Sequence, residues 1–262
     1  MSSLKSKKFF LLDMDGTIYL DNDLFDGTLE FLAKVKNDGG KYLFLTNNSS
    51  KGVHTYVEKL KRLGIEATPD EFLTSTEATI IYLQANHPGK KFYIVGTKSF
   101  TEQLMAAGIS VTTELEDDIF GIVMANDQEL TFKKLDDACI LLGRGVEYIA
   151  TNPDWVCPTW YGYVPDCGCF AEMLKRATGR MPIFIGKPQP EMILLAMEKH
   201  GYTKEETVMM GDRLYTDIAS GYNAGVDTIF VLSGEGTMAD VEASDIKPTY
   251  IYKNIREVLG DL

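Results

Sequence analysis

Short runs of bulky apolar residues alternate almost throughout this chain with longer, more polar stretches. The runs read as buried strands and the stretches between them as helices, an alternation that builds parallel sheets with helical crossovers. Phe9-Phe10-Leu11-Leu12 is the first predicted strand and Tyr42-Leu43-Phe44-Leu45 the second. A helix is predicted over Lys51 to Leu63, stopped by Gly64. Thr74-Ser75-Thr76-Glu77 has capping-box spacing and predicts another helix start. Phe92 to Val95, Gly121 to Met124 and Tyr148 to Ala150 are further predicted strands, with helices beginning near Ser99 and Thr131. A helix from about Phe170 ends at Gly179, and strand character returns over Pro182 to Ile185. Pro190 occupies a natural first helical position in a helix closed by Gly201, and Val208-Met209-Met210 forms another short strand.

From Asn152 to Cys169 the texture changes. Pro153, Pro158 and Pro165 mix with Gly162, Gly168 and the aromatics Trp155, Trp160, Tyr161 and Tyr163. This predicts a long ordered loop or irregular hairpin, either functional or an aromatic mini-core. The α/β stretches flanking 79–181 are each too small for a full doubly wound sheet. They can combine into one, leaving the middle as an inserted second domain.

Composition narrows the function. At 262 residues the chain holds one large domain or two modest ones. A formal net charge of -12 argues against a nucleic-acid partner, which needs a basic footprint. The apolar run before Asp13 is too short for a signal peptide or a membrane span, so a cytoplasmic protein without a membrane partner is expected. Four cysteines fit a reducing compartment, and Cys157, Cys167 and Cys169 match no zinc spacing.

The candidate chemistry sits where predicted strands end. Asp13-Met14-Asp15-Gly16-Thr17 places two carboxylates at the carboxyl end of a strand, where open α/β sheets bind ligands. A hard divalent cation such as Mg²⁺ would relieve their crowding; a turn in which both acids only cap backbone amides is the plainer alternative. Thr46-Asn47 offers a hydroxyl and consecutive amides for an anion, or ordinary N-capping. Gly186-Lys187-Pro188 places one lysine at a strand end, able to neutralise phosphate oxygens. Gly211-Asp212-Arg213 supplies a third candidate metal ligand in Asp212, and Asp217 is placed to orient Lys187 or a metal-bound water. Neither a P-loop nor a dinucleotide fingerprint is present: Pro188 stands where a P-loop has Ser or Thr, and Tyr148 where the fingerprint has glycine. Three carboxylates, a hydroxyl and a lysine fit the needs of phosphoryl transfer.

In this order the motifs resemble the haloacid-dehalogenase (HAD) superfamily, specifically its NagD / p-nitrophenylphosphatase-like branch. The residues that carry the resemblance are Asp13 to Tyr19, Leu45 to Ser50, Thr151-Asn152-Pro153-Asp154, Gly186-Lys187-Pro188 and Gly211 to Asp217, and it covers essentially the whole chain. It implies a Rossmann-like parallel-sheet core, residues 1–78 and 182–262, with an inserted α/β cap over 79–181. It also implies a phosphatase that hydrolyses small phosphomonoesters through an aspartyl-phosphate on Asp13, with Asp15 as acid and then base. Mg²⁺ would be held by the Asp13 carboxylate, the Asp15 carbonyl and Asp212. Thr46, Asn47, Asn48 and Lys187 would bind the phosphoryl group, supported by Asp217. Nucleoside monophosphates or sugar phosphates are the expected substrates. Pyridoxal phosphate and phosphoglycolate compete with them, and a catalytically silent binding protein is the reading of another class. Many relatives carry Pro-Gly-x-Gly where this chain has Pro165-Asp166-Cys167-Gly168, so substrate identity does not transfer. Tyr161, Tyr163 and Asp166 are the candidate cap residues for selectivity, and the same segment leaves room for a homodimer through the cap.

Overall fold

The computed structural model describes residues 4–159 and 161–262; Trp160, one of the segment's aromatics, lies outside them. The chain divides into two compact units. The first comprises Met1–Thr46, Tyr56–Leu73 and Lys187–Leu262, and the second Asn47–Thr55 and Thr74–Gly186.

The first unit is built on a six-stranded sheet in the order Tyr250–Tyr252, Asp227–Val231, Thr207–Gly211, Phe9–Leu12, Lys41–Thr46, Phe72–Thr74. Phe9–Leu12 is central and runs parallel to both neighbours, and all four of its residues are buried. Burial on both faces explains why it reads as a continuous apolar run instead of alternating. Register then aligns the strand ends. Leu12 pairs with Met210 on one side and Phe44 on the other. Asp13 therefore emerges level with Gly211 and Leu45, with Asp212 and Thr46 one residue further on.

The second unit is built on a five-stranded parallel sheet in the order Ile183–Phe184, Glu147–Ala150, Gly121–Met124, Lys91–Val95, Ser110–Thr112. Tyr93, Ile122, Met124, Leu141, Tyr148, Phe170 and Leu174 belong to its core. Both units are thus α/β with parallel sheets.

Side-chain caps account for several boundaries. Thr74 accepts from the Glu77 amide at 3.1 Å and opens the helix Ser75–Asn86. Thr97 and Thr131 do the same for Lys98–Ala106 and Phe132–Gly143. The helix expected from Lys51 begins at Val53, because Asn48 Oδ1 accepts from the Ser50 amide at 3.0 Å and its hydroxyl at 2.7 Å. That local turn competes with helix. Pro190 is the cap preceding Glu191–His200, one position earlier than expected. The segment after Asn152 contains a hairpin, Val156–Thr159 antiparallel to Gly162–Pro165. The next helix is Cys167–Thr178, starting three residues before Phe170 because Asp166 caps it, accepting from the Cys167 amide at 2.6 Å. Sequence periodicity marked no element between the first two strands or beyond Asp217. There the structure has the helices Thr28–Asn37, Ala219–Ala224, Met238–Ala243 and Ile255–Asp261.

Gly168 sits where this helix start meets the loop after Asn152. Its amide donates to the Asp154 carbonyl at 2.8 Å, and an added Cβ would collide with the Pro153 carbonyl and stand 2.7 Å from that of Asp154. Two successive backbone carbonyls cannot yield as a side chain can. Gly168→Ala should therefore destabilise the protein by about 1–3 kcal/mol, the usual range for overpacking. A chemical-denaturation midpoint equal to that of the unsubstituted protein would show that the loop relaxes freely.

Candidate active site

At the carboxyl edge of the six-stranded sheet, four of the expected residues converge. Lys187 Nζ donates to Asp13 Oδ1 at 2.6 Å, to Asp217 Oδ1 at 2.7 Å and to the Leu45 carbonyl at 3.2 Å. Its side chain is only 2% exposed, so the ammonium depends on these partners and not on water. One oxygen from each of Asp13, Asp212 and Asp217 lies within 4.8 Å of the others.

The backbone is shaped to permit this crowding. Gly16 has φ +89, and a Cβ there would strike the Asp212 carboxylate; Gly234 approaches the same carboxylate from another segment. A Cβ on Gly211 would meet the side chain of Asp217. Asp217 itself is carried on a single π turn, Leu214–Ile218, in which the Ile218 amide reaches the Arg213 carbonyl at 3.2 Å. Its second oxygen accepts from the Arg213 amide at 3.0 Å. Asp217 thus spends one oxygen on Lys187 and one on the turn.

Asp212 is different. Its Oδ2 accepts from the Glu235 amide at 2.7 Å, but its buried Oδ1 has no hydrogen-bond partner among the described residues. Asp13 and Asp217 share the Lys187 ammonium while Asp212 adds a third carboxylate beside them, and the imbalance shows in the ionisation of Asp13 and Asp212. Burial, then the charge of Asp217, hold Asp13 well above the usual carboxylate range despite the opposing pull of Lys187. Burial and Asp217 likewise push Asp212 up to about 7. Lys187 responds in the opposite sense: burial disfavours its charge, yet Asp13 and Asp217 outweigh burial and raise its pKa. An orphaned carboxylate oxygen within an all-oxygen cluster carrying excess negative charge fits a hard divalent cation.

Asp15 stands apart from that cluster and is a third exposed. Its Oδ2 accepts from the Tyr19 hydroxyl at 3.4 Å, and Lys59 Nζ lies 3.6 Å from Oδ1 and 3.7 Å from the centre of the Tyr19 ring. Burial and the nearby Asp15 charge keep the Tyr19 hydroxyl protonated far beyond its ordinary range. Sequence reasoning missed Lys59. It is one of several basic residues on the helix Val53–Arg62, and periodicity does not distinguish it from a solvated lysine. The glycine cradle was missed too: Gly211 reads only as the opening of Gly211-Asp212-Arg213, and Gly234 carries no motif.

Thr46 is the buried last residue of its strand, immediately after Leu45. Asn47 and Asn48 group with the second unit, where Ser75 Oγ donates to the Asn47 carbonyl at 2.6 Å. Of the three candidate selectivity residues, Tyr161 and Tyr163 are 64% and 62% exposed on the hairpin. Asp166 is instead buried, with its two oxygens taken by Asn126 at 2.8 Å, Asn152 at 3.1 Å and the Cys167 amide. Its carboxylate is spent on the fold of the second unit.

Comparison with known proteins agrees with this geometry. Residues 10–110 match the family model of haloacid dehalogenase-like hydrolases, and residues 184–258 match a HAD-hydrolase-like model. The acid sugar phosphatase of Staphylococcus aureus strain MRSA252 is 36% identical over 259 residues, 99% of either chain. A 4-nitrophenylphosphatase crystal structure from Thermotoga maritima is 40% identical, with a TM-score of 0.92 over 98% of each chain. A glycerol phosphate phosphatase from Mycobacterium tuberculosis, solved in complex with magnesium, is 28% identical with a TM-score of 0.91, covering 98% of this chain and 78% of that one. Motif order, sheet topology and likeness over nearly the full length agree: the chain belongs to the haloacid dehalogenase-like hydrolases, in their NagD / p-nitrophenylphosphatase-like branch.

Proposed function

We propose that this protein is a Mg²⁺-dependent phosphatase of small phosphomonoesters, with sugar phosphates as its main substrate class. The observation that carries the reading is the Asp212 Oδ1, beside Asp13, Asp217 and Lys187, left without a hydrogen-bond partner among the described residues. The name of the Staphylococcus aureus relative favours sugar phosphates over nucleotides, and the magnesium in the Mycobacterium tuberculosis relative favours that metal. Asp13 and Asp212, with the Asp15 carbonyl, would hold Mg²⁺, which supplies positive charge against the phosphoryl oxygens.

The chain's own groups divide the remaining work. An Asp13 oxygen attacks phosphorus, the bond from phosphorus to the ester oxygen breaks, and Asp15 gives that oxygen its proton. Water then attacks the aspartyl-phosphate, Asp15 takes the water's proton, and inorganic phosphate leaves with the Asp13 carboxylate restored. Lys187, fixed by Asp217, lies against Asp13 where phosphoryl charge accumulates, and Thr46, Asn47 and Asn48 offer hydrogen bonds to its oxygens. Tyr19 and Lys59 steady the Asp15 carboxylate. In this scheme residues 1–78 and 182–262 act as the catalytic core and 79–181 as the cap. No helix among the described residues is long and apolar enough to cross a membrane.

The decisive assay is a screen of small phosphomonoesters with and without Mg²⁺. Chelation by EDTA should abolish hydrolysis, Mg²⁺ should restore it better than Ca²⁺, and Asp13→Asn should lose turnover at every metal concentration while keeping its fold. Full activity in excess EDTA on metal-free protein would refute the metal assignment, and near-normal turnover by Asp13→Asn would refute the nucleophile.

The acid role of Asp15 has its own signature. A p-nitrophenolate leaving group hardly needs a proton, whereas a sugar alkoxide does. Asp15→Asn should therefore slow hydrolysis of a sugar phosphate at least about tenfold more than that of p-nitrophenyl phosphate, within the usual range for general-acid catalysis. Equal losses on both substrates would remove Asp15 from that role.

Leaving-group selectivity is assigned to the exposed rings of Tyr161 and Tyr163. Replacing either with alanine should reorder the ranking of substrates while acetyl phosphate, with little leaving group to recognise, is hydrolysed nearly as before. A uniform fall on all substrates would mark the hairpin as structural.

A further inference from the structure

Counted in chain order, the strands of the second unit's sheet lie in the order 2-1-3-4-5. The order of strand addition reverses between Lys91–Val95 and Gly121–Met124, and open parallel sheets of this order take a ligand beyond the carboxyl ends of those two strands. Here that crevice is filled by the protein's own chain. Thr97, just past the first of these strands, donates from Oγ1 to the Ser50 carbonyl at 3.0 Å. Asn126, just past the second, donates its amide to Ser49 Oγ at 3.0 Å. Thr151, past the neighbouring strand, places its hydroxyl 2.8 Å from the same Ser49 oxygen. The occupant belongs to Asn47–Thr55, which groups with this unit although Tyr56–Leu73 separates it from the remainder.

The hydrogen bonds have a definite direction. Thr151 donates to Asn152 Oδ1 at 2.7 Å, so its single proton is committed and the Ser49 hydroxyl must donate to Thr151. Asn152 Nδ2 donates to Asp154 Oδ2 at 2.8 Å and Asp166 Oδ1 at 3.1 Å. Asp166 Oδ2 accepts from Asn126 Nδ2 at 2.8 Å, so the circuit returns to the residue that began it. Ser49, Asn126, Thr151, Asn152, Asp154 and Asp166 are all buried. A closed buried circuit of this kind is rigid, because breaking any one bond strands its partners away from water. Gly186 links it to Asn47: its amide donates to the Thr151 carbonyl at 2.7 Å, and an added Cβ would stand 2.5 Å from Asn47 Oδ1, while Ser75 Oγ holds the Asn47 carbonyl independently at 2.6 Å.

We propose that the second unit binds the segment Asn47–Ser50 as a built-in ligand of its sheet crevice, and that Ser49 and Thr151 are positioning residues that set Asn47 for phosphate. The inference deepens the proposed function and rests on its reading of Thr46 and Asn47 as phosphate-binding groups. Neither Ser49 nor Thr151 need touch substrate. The rigidity of the circuit passes through Asn48, the one residue between Ser49 and Asn47.

The test uses the full-length, Mg²⁺-loaded enzyme with inorganic phosphate as competitive inhibitor. Ser49→Ala, Thr151→Val, Thr151→Ser and Asn47→Ala are compared, with circular dichroism and thermal melting confirming the fold of each. Ser49→Ala and Thr151→Val should weaken phosphate inhibition about five- to tenfold and raise KM more than they lower kcat, as loss of a positioned binding group does. Thr151→Ser keeps the hydroxyl and should stay within about twofold of the unsubstituted enzyme. If Thr151→Val does not fold, Ser49→Ala decides the matter alone. Lower thermal stability with unchanged phosphate inhibition in the folded variants would overturn the proposal. If Asn47→Ala weakens inhibition in that same experiment, the phosphate-site reading survives. If Asn47→Ala leaves inhibition unchanged, that reading fails and the inference goes with it.

Discussion

The first unit depends on one interaction, the Lys187 ammonium shared between Asp13 and Asp217. It ties together three segments remote in sequence at the edge of the six-stranded sheet. A buried carboxylate or ammonium alone would cost several kcal/mol, and removing one partner from such a set typically costs about 3–5 kcal/mol. The arrangement is nevertheless unbalanced, because Asp212 adds a third negative charge beside the pair. A protein selected only for stability would replace that third acid with something neutral. Its presence, with one oxygen left without a hydrogen-bond partner among the described residues, is what the proposed metal site would explain.

The glycines around the cluster reflect the same constraint. Gly16 and Gly234 bring backbone against Asp212, and Gly211 brings it against Asp217, at distances no Cβ would permit. Close backbone approach directs amides at the acids and withholds side-chain bulk from the space beside them. The π turn at Leu214–Ile218 serves the same end, re-aiming one carboxylate by a local change in helical geometry. These features are costly to the fold, and the fully buried apolar strands beneath them offset the cost.

This division explains what the sequence revealed and what it hid. Strand ends carrying acids, a hydroxyl or a lysine were legible because a buried parallel strand is a continuous apolar run, and a charge at its end interrupts that run conspicuously. Asp13, Thr46, Lys187 and Asp212 were visible for this reason. Lys59 was not, since a helix surface rich in lysine and arginine gives no sign of which cation turns inward. Asp166 was the opposite case. A lone acid in a segment rich in proline and aromatics looks available for a ligand, while its capping of Cys167–Thr178 and its bonds to Asn126 and Asn152 appear only in three dimensions. Strands as short as Ser110–Thr112 and Tyr250–Tyr252 were also hidden, because at sheet edges they carry exposed or half-buried residues and no apolar run.

The overall charge of -12 would repel a phosphate dianion, so recognition has to be local. Lys187 cannot provide it alone, since its charge is already shared by two carboxylates. Extra lysines at the cluster would neutralise the acids permanently and remove the reason for a metal to bind. Neutral donors avoid that conflict: hydroxyls and amides add hydrogen bonds without altering the charge balance on which the proposed metal binding depends. That constraint accounts for the composition of the stretch from Thr46 to Ser50, which is wholly uncharged. With the proposed phosphate role of Asn47, it would also account for the closed circuit behind Ser49, because a neutral donor has no long-range attraction and contributes only when held at hydrogen-bond distance. On that proposal, the rigid circuit supplies by position what the stretch lacks in charge.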